Sequence, residues 1–184
     1  MSLTDAALGE RLLARARQAI AHELGLAAPV AQDAELAERG ASFVTLTRHG
    51  QLRGCIGSLK PQRPLGDDVA INACNAAFRD PRFAPVDVDE WPSIAIEVSV
   101  LGKATFLDAK HEDEVIARLR PGEDGVILFE GCRQATFLPQ VWAQLPEPRA
   151  FLAALKQKAG LRPEHWSDAV MVATYPVRKW REQP

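Results

Sequence analysis

The residue types best suited to chemistry occur together in the segment 52–57, which reads LRGCIG. Side chains alternate between the two faces of a strand, so Arg53 and Cys55 are expected to point the same way, about 7 Å apart. A guanidinium beside a thiol favours the thiolate, and we predict that Cys55 is partly accessible from a cleft and has a lowered pKa. Gly54 and Gly57 leave space for a ligand to approach the backbone. The alternative is that Cys55 is a small buried hydrophobe and that the glycines mark a β-bulge.

A second group of candidate residues lies in the segment 93–101, which alternates between apolar and more polar side chains. This period of two predicts a strand that carries Glu97 and Ser99 on one face. If the strand shares a sheet with Cys55 and the faces are aligned, Arg53, Cys55, Glu97 and Ser99 meet. We predict an ion pair between Arg53 and Glu97, direct or through one water, because burial of either charge alone is costly. A second interpretation makes Glu97 the general base for a nucleophilic thiol.

Arg82 and Gln140 are candidate ligand contacts outside these two strands. Arg82 follows Asp80 in an Asp-Pro-Arg turn, in which the carboxylate is expected to accept backbone N–H groups. Arg82 either belongs to that turn or projects into a cleft to meet an anionic group. Gln140 lies near the start of a predicted helix, whose N-terminus could bind an anion. The residues after it, Val141 and Trp142, are better explained as core packing.

Periodic patterns predict the elements that must position these residues. Leu52 and Ile56 are expected to face the core from the second strand of a hairpin that turns at His49-Gly50. Strands and helices are mixed, so the fold class is α+β, with a mostly antiparallel sheet flanked by helices. The predicted helices are 5–24, 65–79, 111–119 and 148–159. The predicted strands are the hairpins 41–47 with 51–57 and 125–129 with 132–138, then 93–101 and a last strand at 169–175 that Pro176 halts.

Composition limits the classes of function. A chain of 184 residues fits one domain or two small lobes, and its net charge of −2 argues against a broad nucleic-acid surface. Three cysteines without framework spacing, no secretory leader pattern and no long apolar run predict a soluble cytoplasmic protein without a membrane span. The four histidines lack metal-ligand spacing, and no phosphate-binding or dinucleotide motif is present. We therefore predict no metal and no cofactor.

Six blocks of sequence carry a resemblance to a known family, and they are ASFVTL (41–46), LRGCIGSL (52–59), DPRFAP (80–85), IEVSVL (96–101), FLPQVW (137–142) and KAGL (158–161). In this order they resemble the AMMECR family, whose prokaryotic members are protein A of the AmmeMemoRadiSam system. The resemblance covers residues 8–175 and implies one AMMECR domain with a larger lobe, a smaller lobe and a cleft between them. It also implies a radical SAM protein and a Memo-type protein as partners. The cysteines of this chain are too far apart for an iron–sulfur cluster motif, so such chemistry would belong to a partner.

Three functions remain open. The leading hypothesis is a cleft for a small molecule or modified nucleotide, centred on Arg53 and Cys55, in an enzyme or accessory subunit. The rival is a non-enzymatic scaffold or protein-interaction module, in which the LRGCIG segment serves folding and docking. RNA binding is the weakest, because the net charge is negative and only one tyrosine is available for base stacking.

Overall fold

A computed structural model of the chain describes residues 4–182 and divides them into two compact units. The first unit runs to Leu101 and resumes at Arg178, and the second spans Gly102–Val177. In chain order the elements are α1 (Asp5–Glu23), β1 (Arg39–Arg48), β2 (Gln51–Gly57), β3 (Arg63–Pro64), α2 (Leu65–Phe78), β4 (Ile94–Leu101), β5 (Thr105–Phe106), α3 (Glu112–Arg118), β6 (Gly125–Glu130), β7 (Arg133–Phe137), α4 (Pro148–Lys158), β8 (Val170–Tyr175) and β9 (Val177–Arg181). Helices with antiparallel sheets confirm the predicted α+β class. The predicted cleft stays a prediction.

The first unit is a sheet in the order β2-β1-β4-β9, with the short β3 paired to the start of β1. β1 is antiparallel to both β2 and β4. Val44, Leu46, Ile96 and Val98 lie on one face of this sheet and are fully buried in a core that includes apolar side chains of α1 and α2. The opposite face carries Thr45 and its strand neighbours, which are polar or half-buried.

Helix α1 forms where the sequence predicts it, and its boundaries have local causes. The Oγ1 of Thr4 accepts a hydrogen bond from the Ala7 N–H, which satisfies one of the free donors of the first turn. Leu12, Ala16 and Ile20 recur at helical spacing and are fully buried. The helix therefore contributes its apolar stripe to the core of the first unit.

The predicted hairpin of β1 and β2 is confirmed, but Leu52 does not face the core as predicted. Its turn has positive φ at His49 and Gly50, as a two-residue hairpin turn with this twist requires. Leu46 pairs with Gly54 while Thr47 pairs with Leu52, which leaves Arg53 as the extra residue of a β-bulge. The bulge shifts the alternation by one residue, so Leu52 is 46% exposed and its predicted burial is wrong. Ile56, beyond the bulge, is half-buried and packs against the core.

The second unit is an antiparallel sheet in the order β5-β8-β6-β7, packed with α3 and α4. Phe151 of α4 is fully buried and stacks on Trp142, with ring centroids 3.7 Å apart. Trp142 and Gln140 belong to a 3₁₀-helix, Pro139–Ala143, rather than the α-helix that we predicted at this position.

Strand β9 is the main element that the sequence prediction missed. Pro176 was expected to end the last strand, but it only separates β8 from β9, which pairs with β4 at the edge of the first sheet. Among residues 4–182, no helix is both long and apolar enough to cross a membrane.

Candidate functional site

Two side chains of the turn after α2 hold the backbone of Cys55. β2 is an edge strand, and such strands leave a row of polar backbone groups unpaired. The Cys55 N–H donates to Oδ2 of Asp80 at 2.9 Å, and the Cys55 C=O accepts from Nη2 of Arg82 at 3.2 Å. Asp80 and Arg82 also bind each other, at 2.7 Å between Oδ2 and Nη2. This ion pair takes the place of a neighbouring strand and fixes the backbone from which the thiol projects.

The same contacts perturb the charged groups of the turn. The Arg82 guanidinium, with help from the Cys55 and Arg82 N–H groups, holds the pKa of Asp80 well below its ordinary value, although burial acts in the opposite direction. The pKa of Arg82 is raised, first by its hydrogen bond with Asp80 and then by the negative charge of that carboxylate. Asp80 therefore fills its predicted role as an acceptor of backbone N–H groups. Arg82 is predicted as a ligand contact, but its Nε and Nη2 both donate hydrogen bonds to Asp80.

Arg53 binds Glu90, and the predicted pair with Glu97 is wrong. Nη2 of Arg53 lies 2.5 Å from Oε1 of Glu90, its Nε donates to Oε2 at 3.2 Å, and Nη2 also donates to the Ala84 carbonyl at 2.8 Å. Within residues 4–182, Nη1 of Arg53 is buried and has no hydrogen-bond partner. The bulge explains the error, because Arg53 has no partner on β1 and extends toward the segment 79–93.

The segment 79–93 is held along β2 by a second set of contacts. The ring of Phe83 lies between two cations, 5.7 Å from the Arg53 guanidinium carbon and 5.5 Å from that of Arg82. Glu90 accepts a further hydrogen bond from Nη1 of Arg48 at 3.1 Å. Both arginines that we predicted as ligand contacts therefore take part in anchoring this segment.

The two glycines of the LRGCIG segment make room for protein atoms. A Cβ on Gly54 would lie 2.2 Å from the carbonyl oxygen of Ala76, so α2 can approach β2 this closely only at a glycine. A Cβ on Gly57 would lie 2.2 Å from the ring of Phe43, which covers this residue from β1. Their predicted role in ligand binding has no support in these contacts.

The thiol of Cys55 lies on a different surface from the anchoring residues. Its Sγ is 3.3 Å from Oγ1 of Thr45, within hydrogen-bond distance for sulfur, and the residue is half-buried. Thr45 pairs with Cys55 on β2 and with Glu97 on β4, so the three residues lie on one face of the first sheet. We call this surface the open face. Ser99 lies on the same face, two residues along β4 from Glu97, and is buried.

Glu97 is on the open face but is not in contact with the thiol. Neighbouring strands lie about 4.8 Å apart, so Glu97 and Cys55 are separated by about 10 Å of backbone with Thr45 between them. The Glu97 carboxylate instead meets two cations of β9, with Oε1 3.4 Å from Nζ of Lys179 and Oε2 4.0 Å from Nε of Arg181. The geometry therefore gives no support to direct proton transfer between Glu97 and Cys55.

Lys179 and Arg181 are the charged residues that the sequence prediction missed. The sequence signal is weak, because the run VRKWR at 177–181 shows only an apolar Trp180 between Lys179 and Arg181 and no regular alternation. The preceding Pro176 indicates the end of strand structure and points away from a further strand.

Two further observations concern cavities and metal ligands. A cavity of about 680 Å³ in the first unit is lined by the hairpin turn, the start of β4, Arg17 and Glu182, and its lining does not include Arg53 or Cys55. Gln140 is exposed on the 3₁₀-helix of the second unit. Over the described range, 4–182, no three His, Cys, Asp or Glu side chains are grouped as metal ligands.

Comparison with known proteins gives consistent matches over most of the chain. A family model described as AMMECR1 matches residues 13–180. A protein of Methanosarcina barkeri is 37% identical over 147 residues, which cover 79% of this chain and 72% of the relative. A protein of Methanopyrus kandleri is 37% identical over 169 residues, covering 86% and 80% respectively. The crystal structure of the uncharacterised protein PH0010 from Pyrococcus horikoshii superposes with a TM-score of 0.85 at 31% identity, over 100% of this chain and 95% of that one.

Proposed function

The chain belongs to the AMMECR1 family, and from this premise and the geometry of its first sheet we propose that it binds a small molecule on the open face, in contact with the Cys55 thiol. The observation that carries the proposal is the position of this thiol. Its backbone is held on the outer side by Asp80 and Arg82, while its Sγ contacts only a hydroxyl, that of Thr45, among its hydrogen-bond partners within residues 4–182. A half-buried thiol on a fixed backbone, beside a hydroxyl, suits a ligand contact or a nucleophile.

The arginines have a supporting role in this proposal. Arg53 and Arg82 are held by carboxylates and by Phe83, so they stabilise the strand and the segment 79–93. Arg82 also donates from Nη2 to the Cys55 carbonyl at 3.2 Å, so it helps to fix the backbone from which the thiol projects.

Labelling of Cys55 under native conditions tests whether the thiol is accessible. Cys74 is half-buried on α2 and Cys132 is exposed at a turn of the second unit, so a Cys74→Ala/Cys132→Ser variant leaves Cys55 as the reporter. We expect iodoacetamide to alkylate Cys55 at a rate that is independent of urea well below the unfolding transition. A rate that rises with urea in parallel with global unfolding would mean that Cys55 reacts only in the unfolded chain, and the proposal would be wrong.

A binding screen tests the ligand itself. We suggest ligand-detected NMR with a panel of nucleotides, modified nucleosides, sugar phosphates and amino acids, on wild type and on Cys55→Ser. Cys132→Ser is the matched control, since it makes the same chemical change in the second unit. The proposal expects at least one compound that binds wild type and Cys132→Ser, binds Cys55→Ser more weakly, and slows the alkylation of Cys55. Equal binding to all three proteins would remove the thiol from the site.

A protein-interaction module is the second candidate, and one observation favours it. The residues Arg53, Gly54 and Gly57 all make contacts inside the protein, as expected if the LRGCIG segment serves folding. Leu52 and Leu59 at the two ends of this segment are exposed and apolar. As the resemblance implies, we propose a Memo-type protein and a radical SAM protein in the cytoplasm as partners. Titration of a purified Memo-type protein with wild type and Leu52→Ser separates the candidates, because only the docking hypothesis expects weaker binding.

A further inference from the structure

We propose that Lys179 and Arg181 of β9 form a subsite for an anionic group, of phosphate or carboxylate type, on the small molecule that the open face binds. This inference rests on the proposed function and adds the charge class of the ligand. The sequence predicts that Arg53 and Arg82 contact an anionic ligand. We instead assign this contact to Lys179 and Arg181 on β9, a strand that the sequence prediction missed.

Strand alternation puts both cations on the open face. Lys179 and Arg181 are two residues apart on β9, and both reach the carboxylate of Glu97, which lies in line with Thr45 and Cys55. The residue between them, Trp180, faces the other way. It packs against α1, where a Cβ on Gly9 would lie 2.2 Å from the indole ring.

The part of the open face around Lys179, Arg181 and Glu97 carries a net positive charge. Two cations share one carboxylate, and the two contact distances are 3.4 and 4.0 Å, longer than those of the pairs made by Arg53 and Arg82. The side chains of Lys179 and Arg181 are 44% and 56% exposed, whereas that of Glu97 is 18% exposed. Neither cation forms a hydrogen bond to another residue of the range 4–182. Their N–H donors therefore remain available to an anion.

The spacing of the sheet sets the size of the ligand. β9 is the third strand from β2, but both of its cations contact Glu97, which lies on the second strand from β2, β4. At about 4.8 Å between strands, the cations lie on the order of 10 Å from the Cys55 thiol. A ligand that contacts both the β9 cations and the Cys55 thiol has its anionic group about 10 Å from the atoms that meet the sulfur. Thr45 lies beneath the part of the ligand between these two contacts.

Charged thiol reagents test this arrangement. In the Cys74→Ala/Cys132→Ser background, Cys55 is treated with the anionic 2-sulfonatoethyl or the cationic 2-(trimethylammonio)ethyl methanethiosulfonate. In both reactions the thiolate attacks the sulfenyl sulfur, a mixed disulfide forms and methanesulfinate leaves. The quantity measured is the ratio of the anionic to the cationic rate, which cancels changes in the intrinsic reactivity of the thiol.

Loss of both cations should lower this ratio. Two charges at about 10 Å in water predict a decrease of about fivefold to tenfold at about 0.01 M salt for Lys179→Gln/Arg181→Gln, shrinking to about twofold at about 0.15 M. Arg178→Gln is the control on the same strand, and it removes one charge where the double substitution removes two. Arg178 contacts Asp5 of α1 and stacks on Trp180, away from the open face, and its loss should change the ratio by less than about twofold at about 0.01 M salt.

Inorganic pyrophosphate separates binding from long-range attraction. At constant ionic strength, pyrophosphate should lower the ratio saturably in the Cys55 background and leave it unchanged in the added Lys179→Gln/Arg181→Gln variant. A ratio that neither the double substitution nor pyrophosphate alters would overturn the subsite, while the thiol proposal would stand. No reaction of native Cys55 with either reagent would instead overturn the proposed function.

Discussion

Replacement of Asp80 should loosen the strand that carries Cys55. Its carboxylate is buried and accepts hydrogen bonds from the Cys55 N–H, the Arg82 N–H and the Arg82 side chain. A buried N–H left without an acceptor costs about 1–3 kcal/mol, and the Arg82 side chain, half exposed, adds about 1 kcal/mol or less. We therefore expect Asp80→Ala to lower the free energy of unfolding by about 2–4 kcal/mol. Asp80→Asn, which keeps one acceptor oxygen, should cost about half as much.

The pH dependence of stability should change in the same variants. The pKa of Asp80 in the folded protein is lowered from 3.8, so its contribution to stability is fully present above that value and is lost as pH falls through the folded-state pKa. Wild type should therefore lose stability below about pH 4 more steeply than Asp80→Asn. Urea unfolding at a series of pH values measures both effects.

Asp124→Asn provides a control with nearly the same geometry in the second unit. Asp124 is buried, and it accepts from the Arg120 N–H at 2.8 Å and from the Arg120 side chain at 2.7 Å. Asp124→Asn should lower stability without speeding amide hydrogen exchange at Cys55 by local opening, whereas Asp80→Asn should speed it. If Asp80→Ala cost less than about 0.5 kcal/mol and left exchange at Cys55 unchanged, Asp80 would not hold β2, contrary to its contacts.

Three further experiments test other features of the first unit, each by urea unfolding. A double-mutant cycle on Arg53→Met and Glu90→Gln should give a coupling free energy of about 1 kcal/mol or more. The effects of Arg53→Met and Glu97→Gln should instead be additive. Coupling to Glu97 without coupling to Glu90 would restore the predicted Arg53–Glu97 pair. Gly54→Ala should cost about 1–3 kcal/mol, because its methyl group would collide with the backbone of α2, and a neutral result would contradict that close packing. Leu52→Ser should change stability by about 0.5 kcal/mol or less, since Leu52 is exposed beside the bulge, and a loss of several kcal/mol would show that it is a core residue after all.

Local sequence predicted the elements whose causes are local. Thr4 and the apolar spacing of α1 define that helix, and the turn at His49-Gly50 defines the hairpin. The bulge at Arg53 has no such cause, because it depends on which residue of β1 faces which residue of β2. A one-residue change in pairing redirects side chains from one face to the other, and it accounts for the errors at Leu52 and Arg53.

The partners of the charged residues were harder to predict than the strands. Glu90 lies in an irregular segment before Trp91-Pro92, where no periodicity indicates the direction of a side chain. Its pairing with Arg53 depends on the path of the segment 79–93 along β2. β9 poses the same difficulty, because its pairing with β4 brings together residues about 80 positions apart, as the hydrogen bond from the Glu182 N–H to the Ile96 carbonyl illustrates.

The contacts of the LRGCIG segment divide it into two functional parts. Arg53, Gly54 and Gly57 contact other parts of the protein, whereas Cys55 alone extends its polar side-chain atom onto the open face. A motif that only bound a ligand would leave its arginine and glycines open to that ligand. A motif that only stabilised the fold would have no need of a half-buried thiol whose backbone N–H is bound by Asp80. If the open face binds a small molecule as we propose, substitutions at Arg53 should act through stability, while those at Cys55, Lys179 and Arg181 should act through binding.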